Sequence, residues 1–560
     1  MLRRAPIRRA MLYLFKAMNI AKRLLLSGWL AVMLLVAACG GGGGGGGSSG
    51  LAFAPVAQTP ETPAAPATPA ASVSVSGVVT YDSVPNTSGP LAYAATIQKP
   101  ARGVTVQLVS SAQVVLATTT TDASGNYSAS VTQGSTFFVR VRAALLSTGA
   151  SSWDVTVRDN TQGEAVYALE SGSVVAVGTA VRKDINAPSG WGGTSYGALR
   201  AAAPFAILDT IYTAQQKVLS VAPSAAFPAL KILWSVNNLP ASGNPALGQV
   251  GTTFFTNTTT GATIYVLGKA DVDTDEYDSS VIAHEWGHYY QSVFSRDDSP
   301  GGEHGSNDLL DRRAAFSEGW GNAWSGIALN RANYTDSAGP GQAAGLNSNL
   351  AVGAARAKGW FSEDSIQYVL WTLNQSAGFG PIHAAMTGPL KSGVPVTSIH
   401  PFNVALKTVS ASAGASFAPL LNAESIDSAS DAWGSTEANG GGSAVALPMY
   451  RTLMVGSALP NVCVSNALGA QVGDNKLGNY AYLRLTVAAP KSYQVTVAGG
   501  GAATDPDFRV YNASGVVAKA ESVAAGSETA NVTLMPGDYV LAVTDYQNKG
   551  PSTCFTVSAN

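Results

Sequence analysis

The sequence predicts a multidomain protein in which a mixed α+β core is flanked by two β-sandwich domains. Three observations predict it. At 560 residues the chain is long enough for about three domains. Apolar and polar residues alternate at strand period between about residues 73 and 184, and again between about 456 and 560, whereas the stretch 185–455 mixes helical and strand periods. That central stretch also holds His284-Glu285-Trp286-Gly287-His288, an H-E-x-x-H pentapeptide within a helical run.

The N-terminus has the architecture of an export signal. Residues 1–38 contain seven Lys or Arg and no acid, and they end in the apolar run Leu24 to Ala38. Those fifteen residues include Ser27 and Gly28 and fall short of a comfortable membrane span. The run closes as Val36-Ala37-Ala38-Cys39-Gly40, which resembles the lipobox where bacterial lipoproteins are cleaved and acylated. The resemblance implies a lipid (palmitate among its chains) on Cys39 and a protein held at the cell envelope through the membrane. With Gly40 after the cysteine, an outer-membrane location is expected in a diderm host. Met18 opens a more typical signal and stands as an alternative start. Residues 39–72 begin with eight consecutive glycines after Cys39 and continue rich in Ser, Pro, Ala and Thr, a flexible tether.

Cysteine usage agrees with export. Cys39, Cys463 and Cys554 are the three cysteines; with Cys39 lipidated, the other two are an even pair in an oxidising compartment. They bracket the C-terminal segment, so a disulfide joining its first and last strands is expected. Without residues 1–38 the chain carries 26 basic residues (33 − 7) against 35 acidic ones, a net of −9. Such a surface has no electrostatic reason to seek nucleic acid.

Residues 73–184 read as a β domain. Val75 to Tyr81, Gly103 to Leu108 and Phe137 to Val141 are strand-like, and Thr121-Asp122-Ala123-Ser124-Gly125-Asn126-Tyr127 is a turn entering a strand. The G-V-x-V strand with a T-D-x-x-G-x-Y hairpin resembles the carboxypeptidase-regulatory-like family of small β-sandwiches, which implies a fold and no ligand.

In 185–455, Ala198 to Val221 is expected to be helical, and Leu230 to Val236 and Ala262 to Gly268 to be strands. The acidic run Asp271 to Glu276 offers carboxylates for Ca²⁺ but lacks the EF-hand pattern. It reads first as a charged loop favouring the helix N-terminus that follows. Asp278 is placed as the N-cap of that helix. On it, His284 and His288 lie one turn apart on one face, where neutral imidazoles can each give a nitrogen to Zn²⁺. A third protein ligand would leave one tetrahedral position for water, as in catalytic zinc sites. Glu285 is placed beside the metal as general base.

Glu318 is the best-placed third ligand, on a second helix read from Leu309 to Leu329, with 29 residues between His288 and Glu318. Asn322, one turn on, could hydrogen-bond a ligand histidine. Glu303, Asp308 and Asp311 compete for the third position from a Gly- and Asp-rich loop.

H-E-x-x-H followed by Glu318-Gly319-Trp320-Gly321-Asn322 resembles the gluzincin zinc metallopeptidases, especially the thermolysin and fungalysin branches. The resemblance implies a zincin-like catalytic core with His284, His288 and Glu318 on one zinc ion and Glu285 as the base. It also implies an extended peptide or protein substrate paired with an edge strand, for which Ala262 to Gly268 is the candidate. An oxyanion donor downstream of the third ligand is implied as well, with Tyr368 and His383 as candidates. The chain departs from the pattern at Asn322, where those branches usually carry aspartate; an amide still accepts from an imidazole but brings no negative charge.

Residues 456–560 alternate apolar and polar through Tyr480 to Val487, Tyr493 to Val497, Phe508 to Tyr511 and Tyr539 to Val543. Thr504 to Tyr511 and Pro536 to Val540 resemble the bacterial pre-peptidase C-terminal domain. The function expected is therefore a secreted, lipid-anchored zinc endopeptidase. A zinc hydrolase of cell-wall peptides and an inactive surface adhesin on a protease scaffold are the alternatives.

Overall fold

A computed structural model describes residues 71–469, 475–547 and 551–560. The signal peptide, Cys39 and the tether up to residue 70 lie outside the described residues. The molecule is multidomain and strand-rich, with several sheets. Among the described residues no helix is long and apolar enough to cross a membrane.

The N-terminal strands form where the alternation places them. β1 (Ser72–Ser83) buries every second residue, so Val73, Val75, Val79 and Tyr81 enter the core. β2 (Val104–Ser110), β3 (Val115–Thr120), β4 (Asn126–Thr132), β5 (Thr136–Ser147) and β6 (Trp153–Asp159) follow. The expected turn before β4 is set by Asp122, whose carboxylate accepts from the backbone N–H of Ser124 and Asn126 at 2.8 and 2.9 Å. β1 pairs antiparallel with β4.

Next come helix α1 (Ala203–Leu219) and strands β7 (Leu230–Trp234), β8 (Phe254–Thr258) and β9 (Gly261–Val266). These strands continue the N-terminal ones in a single sheet of order β8-β9-β7-β6-β5-β2-β3. β7 pairs in parallel with β6 on one side and β9 on the other. The boundary expected at 184/185 therefore falls within one hydrogen-bonded sheet, and one apolar core runs from Val73 to Leu477 across it. β9, the candidate edge strand, is an interior strand held by β7 and β8. Among the described residues the outer strand is β8, which is too polar at Thr256-Asn257-Thr258 to stand out by apolar pattern.

Helices α2 (Ser279–Phe294) and α3 (Arg312–Leu329) cross the core, and α4 (Glu363–Ala377) packs on α3. Between them, β10 (Asn333–Ala338) pairs with β11 (Ala344–Asn349). Asp278 precedes α2 but does not cap it: its carboxylate is taken by Asn86 and by the N–H and hydroxyl of Ser337. Asp311 does cap α3, accepting from Arg313 N–H at 3.0 Å. Nearly every residue of α3 is buried. Its aromatic residues Trp320 and Trp324 pack with Trp286 and Tyr290 of α2, the Trp286 and Trp324 rings lying 5.3 Å apart.

The C-terminal segment is a sandwich with its own core. One sheet holds Tyr480–Val487, Gly537–Asp545, Pro506–Asn512 and Gly515–Ala520; the other holds Ala458–Val464, Thr553–Ala559, Lys491–Ala498 and Ser527–Leu534. Cys463 and Cys554 are disulfide-bonded between directly paired strands at the start and end of this segment. The sandwich also packs on the N-terminus of α3: Tyr482 donates to Asp311 at 2.5 Å and Arg313 donates to the Tyr511 hydroxyl at 2.8 Å.

Candidate metal centre

α2 carries His284 and His288 on the face turned toward α3, and α3 presents Glu318 between them. The two Nε2 atoms lie 3.0 Å apart, and Glu318 Oε2 is 3.3 Å from His284 Nε2 and 3.4 Å from His288 Nε2. Two donors each 2.0–2.1 Å from a common tetrahedral centre stand about 3.3 Å apart, so these three atoms are spaced as three corners around one zinc-sized ion. The far side of each ring is already engaged. Asn322 Oδ1 lies 2.8 Å from His284 Nδ1, and Ser317 Oγ lies 3.2 Å from His288 Nδ1 and donates to Asp297 Oδ2 at 3.2 Å. With Nδ1–H donating in each ring, both Nε2 lone pairs face the centre.

Glycine lets the helices come this close. A Cβ on Gly321 would stand 2.8–2.9 Å from three atoms of the His284 ring, and one on Gly319 would stand 2.4 Å from Ile366 Cβ on α4. Gly321→Ala is expected to cost about 1–3 kcal/mol of stability through overpacking and to turn His284 out of line. A thermal melt and a zinc-binding titration of the variant check both effects.

Glu285, one residue past His284, is buried, and its Oε2 accepts from the backbone N–H of Phe255 on β8 at 2.8 Å. Burial raises its carboxyl above the usual range, against the opposing pull of His284 and His288. Burial also works to raise Glu318, but the imidazoles around it, His288 foremost, hold it well below the usual range. Burial would lower His288; Glu318 outweighs that and pushes it up to about 9. A metal at this centre needs neutral imidazoles, so protons compete with it and its binding weakens as pH falls.

Two of the rival third ligands are employed elsewhere: Asp308 pairs with Lys476 at 3.1 Å and Asp311 caps α3. The oxyanion candidates have contacts of their own. His383 Nδ1 lies 2.7 Å from the Tyr290 hydroxyl among aromatic rings, and Tyr368 packs on the apolar core. The residue that sequence reasoning passed over is His304. Its Nε2 lies 3.2 Å from Glu318 Oε2, and its Nδ1 lies 2.9 Å from Glu363 Oε2 at the start of α4. Burial works against charge on this ring, but Glu318 and Glu363 together push it up to about 11. Its one sequence signal is being a histidine, among five in 560 residues, in the segment between the two motifs.

A second carboxylate group could hold a hard cation. Donor atoms of Asp273, Asp275 and Asp336 lie within 4.8 Å of one another. Of the acidic run proposed for Ca²⁺, Asp271 instead accepts from Gly341 N–H, and buried Glu276 pairs with Arg200. Asp336, from β10, completes the group. Burial raises Asp273 to about 7 and Asp336 to about 6.

No protein-family profile and no curated protein matches the chain. Among solved structures, 20% of this chain covers 94% of the pre-peptidase C-terminal domain of a collagenase from Bacillus anthracis, at 16% identity and a TM-score of 0.16. Another 20% match covers 97% of PliG, a periplasmic inhibitor of g-type lysozyme from Aeromonas hydrophila, at 15% identity and a TM-score of 0.14. A cycloisomaltooligosaccharide glucanotransferase from Paenibacillus sp. is aligned over 86% of this chain and 72% of its own, at 7% identity and a TM-score of 0.13. The first is a weak match to the family that the C-terminal segment resembles in sequence, and at these TM-scores none of the three carries an argument about fold or chemistry.

Proposed function

We propose that the protein is a zinc-dependent endopeptidase with a zincin-like centre, exported and tethered to the envelope through lipid on Cys39. The observation that carries the catalytic reading is the convergence of His284 Nε2, His288 Nε2 and Glu318 Oε2 within 3.0–3.4 Å, with Glu285 alongside and facing an outer strand. The anchoring rests on the sequence of residues 1–40 alone.

A zinc ion held by His284, His288 and Glu318 supplies Lewis acidity, polarising a carbonyl and acidifying water. The chain's own residues do the rest. Glu285 takes a proton from the attacking water and passes it to the departing amide nitrogen. Asn322 and Ser317 hold the two imidazoles in the tautomer that leaves Nε2 free. β8, hydrogen-bonded on one side to β9 and touching Glu285 through Phe255, is the edge along which an extended peptide would add as a further strand.

Zinc-loaded protein is expected to cleave casein, and a chelator is expected to abolish cleavage, with zinc restoring it. Zinc bound without casein cleavage, but with release of peptides from cell-wall material, would move the substrate to the cell wall. Zinc bound with neither activity would leave the adhesin reading.

A further inference from the structure

Three imidazoles, not two, approach Glu318 Oε2. His304 Nε2 stands 3.2 Å from it, beside 3.3 Å for His284 and 3.4 Å for His288. Unlike the other two, His304 lies on the connection between α2 and α3, in a stretch without regular structure. It is held from both sides, by Glu318 of α3 and by Glu363 of α4, the latter 2.9 Å from Nδ1. That contact is close but poorly aligned, and among the described residues neither His304 Nδ1 nor Glu363 Oε2 has another hydrogen-bond partner. Such alignment is common before substrate binds.

His304 is also distinct from the ligand set. The group whose donor atoms all lie within 4.8 Å of one another is His284, His288 and Glu318, without His304. The ring therefore borders the centre without joining the donor group. Its side chain remains 24% exposed, while those of His284 and Glu318 are at 9% and 11%.

Resting on the zinc-peptidase reading, we propose that His304 is a catalytic residue that donates from Nε2–H to the scissile carbonyl oxygen. Glu363 is its positioning residue, accepting from Nδ1–H. As the water oxygen bonds to the carbonyl carbon, the π pair moves onto the carbonyl oxygen and the proton from water goes to Glu285. His304 keeps its own proton and stabilises the oxygen through a hydrogen bond. When the carbonyl re-forms, the C–N bond breaks and the Glu285 proton goes to the nitrogen. Donors of this kind, aimed where charge develops, typically contribute about 10²–10³ in kcat.

The test uses zinc-loaded full-length protein carrying His304→Ala, His304→Gln or Glu363→Gln. Zinc content and resistance to a chelator are expected to match the unmodified protein in all three. For His304→Ala, kcat is expected to fall about 10²–10³-fold with little change in KM. The affinity of a phosphinic peptide, whose phosphorus oxygen stands in for the charged carbonyl oxygen, is expected to fall by a similar factor. His304→Gln, whose amide N–H can still donate, is expected to recover part of both losses. Loss of zinc from a folded His304→Ala protein would make His304 a ligand and overturn the proposal. So would a fall in kcat that leaves phosphinic-peptide affinity unchanged. If His304→Ala does not fold, the same readings on His304→Gln and Glu363→Gln decide it. Failure of the zinc-peptidase reading shows separately, as unmodified protein that neither holds zinc nor cleaves peptide.

Discussion

Glu285→Gln is expected to leave the zinc content unchanged while kcat falls by as much as about 10⁴-fold. The side chain is buried and touches β8 through Phe255 N–H at 2.8 Å. Glutamine has the same shape, and its amide oxygen can accept that N–H, so the approach of β8 to α2 should survive. What the amide lacks is the capacity to take a proton from water and return it to the leaving nitrogen. Metal analysis, a thermal melt and steady-state kinetics on the same preparation separate loss of the base from loss of the site. A Glu285→Gln protein that cleaves peptide at the normal rate would place the base elsewhere and end the gluzincin mechanism for this chain.

The second large effect is on the metal itself. Unmodified protein is expected to hold about one zinc per chain, and His288→Ala to hold none after dialysis against a mild chelator. Removing one of three protein donors should weaken binding by well over the ~10–100-fold that loss of a supporting hydrogen bond costs. Asn322→Ala removes only such a support, the 2.8 Å contact to His284 Nδ1, and is expected to fall in that smaller range. Glu318→Gln is the sharper variant, because it keeps the shape and removes the charge that faces both imidazoles. Full zinc occupancy in His288→Ala would refute the ligand set, and full occupancy in Glu318→Gln would hand the third position to another carboxylate.

Much of this centre was legible before any fold was known, because its parts are local. His284, Glu285 and His288 sit within five residues of one helix, and the 3.6-residue period alone puts both imidazoles on one face. Glu318 and Asn322 are likewise one turn apart, so the expected Asn322–imidazole contact follows once the two helices meet. Strand alternation placed the β segments, and the cysteine count anticipated the pair that bonds between Ala458–Val464 and Thr553–Ala559.

Other features depended on what lies next to what. β9 has the stronger apolar pattern, but an edge is defined by a missing neighbour, and β8 covers β9. The boundary expected at 184/185 followed a change in period, yet hydrogen bonding between β6 and β7 carries the sheet across it. Asp278 stood in a capping position until Ser337 and Asn86, far away in sequence, claimed its carboxylate. His304 had no periodicity to announce it, since a residue in an irregular connection has no face assigned by local geometry. What the sequence determined by itself was which residues share a face of a helix or strand, because that is fixed by backbone repeat. Which loop histidine meets Glu318, which strand is outermost and which carboxylates share a site were decided by the tertiary structure, because those contacts join segments whose separation no local repeat encodes.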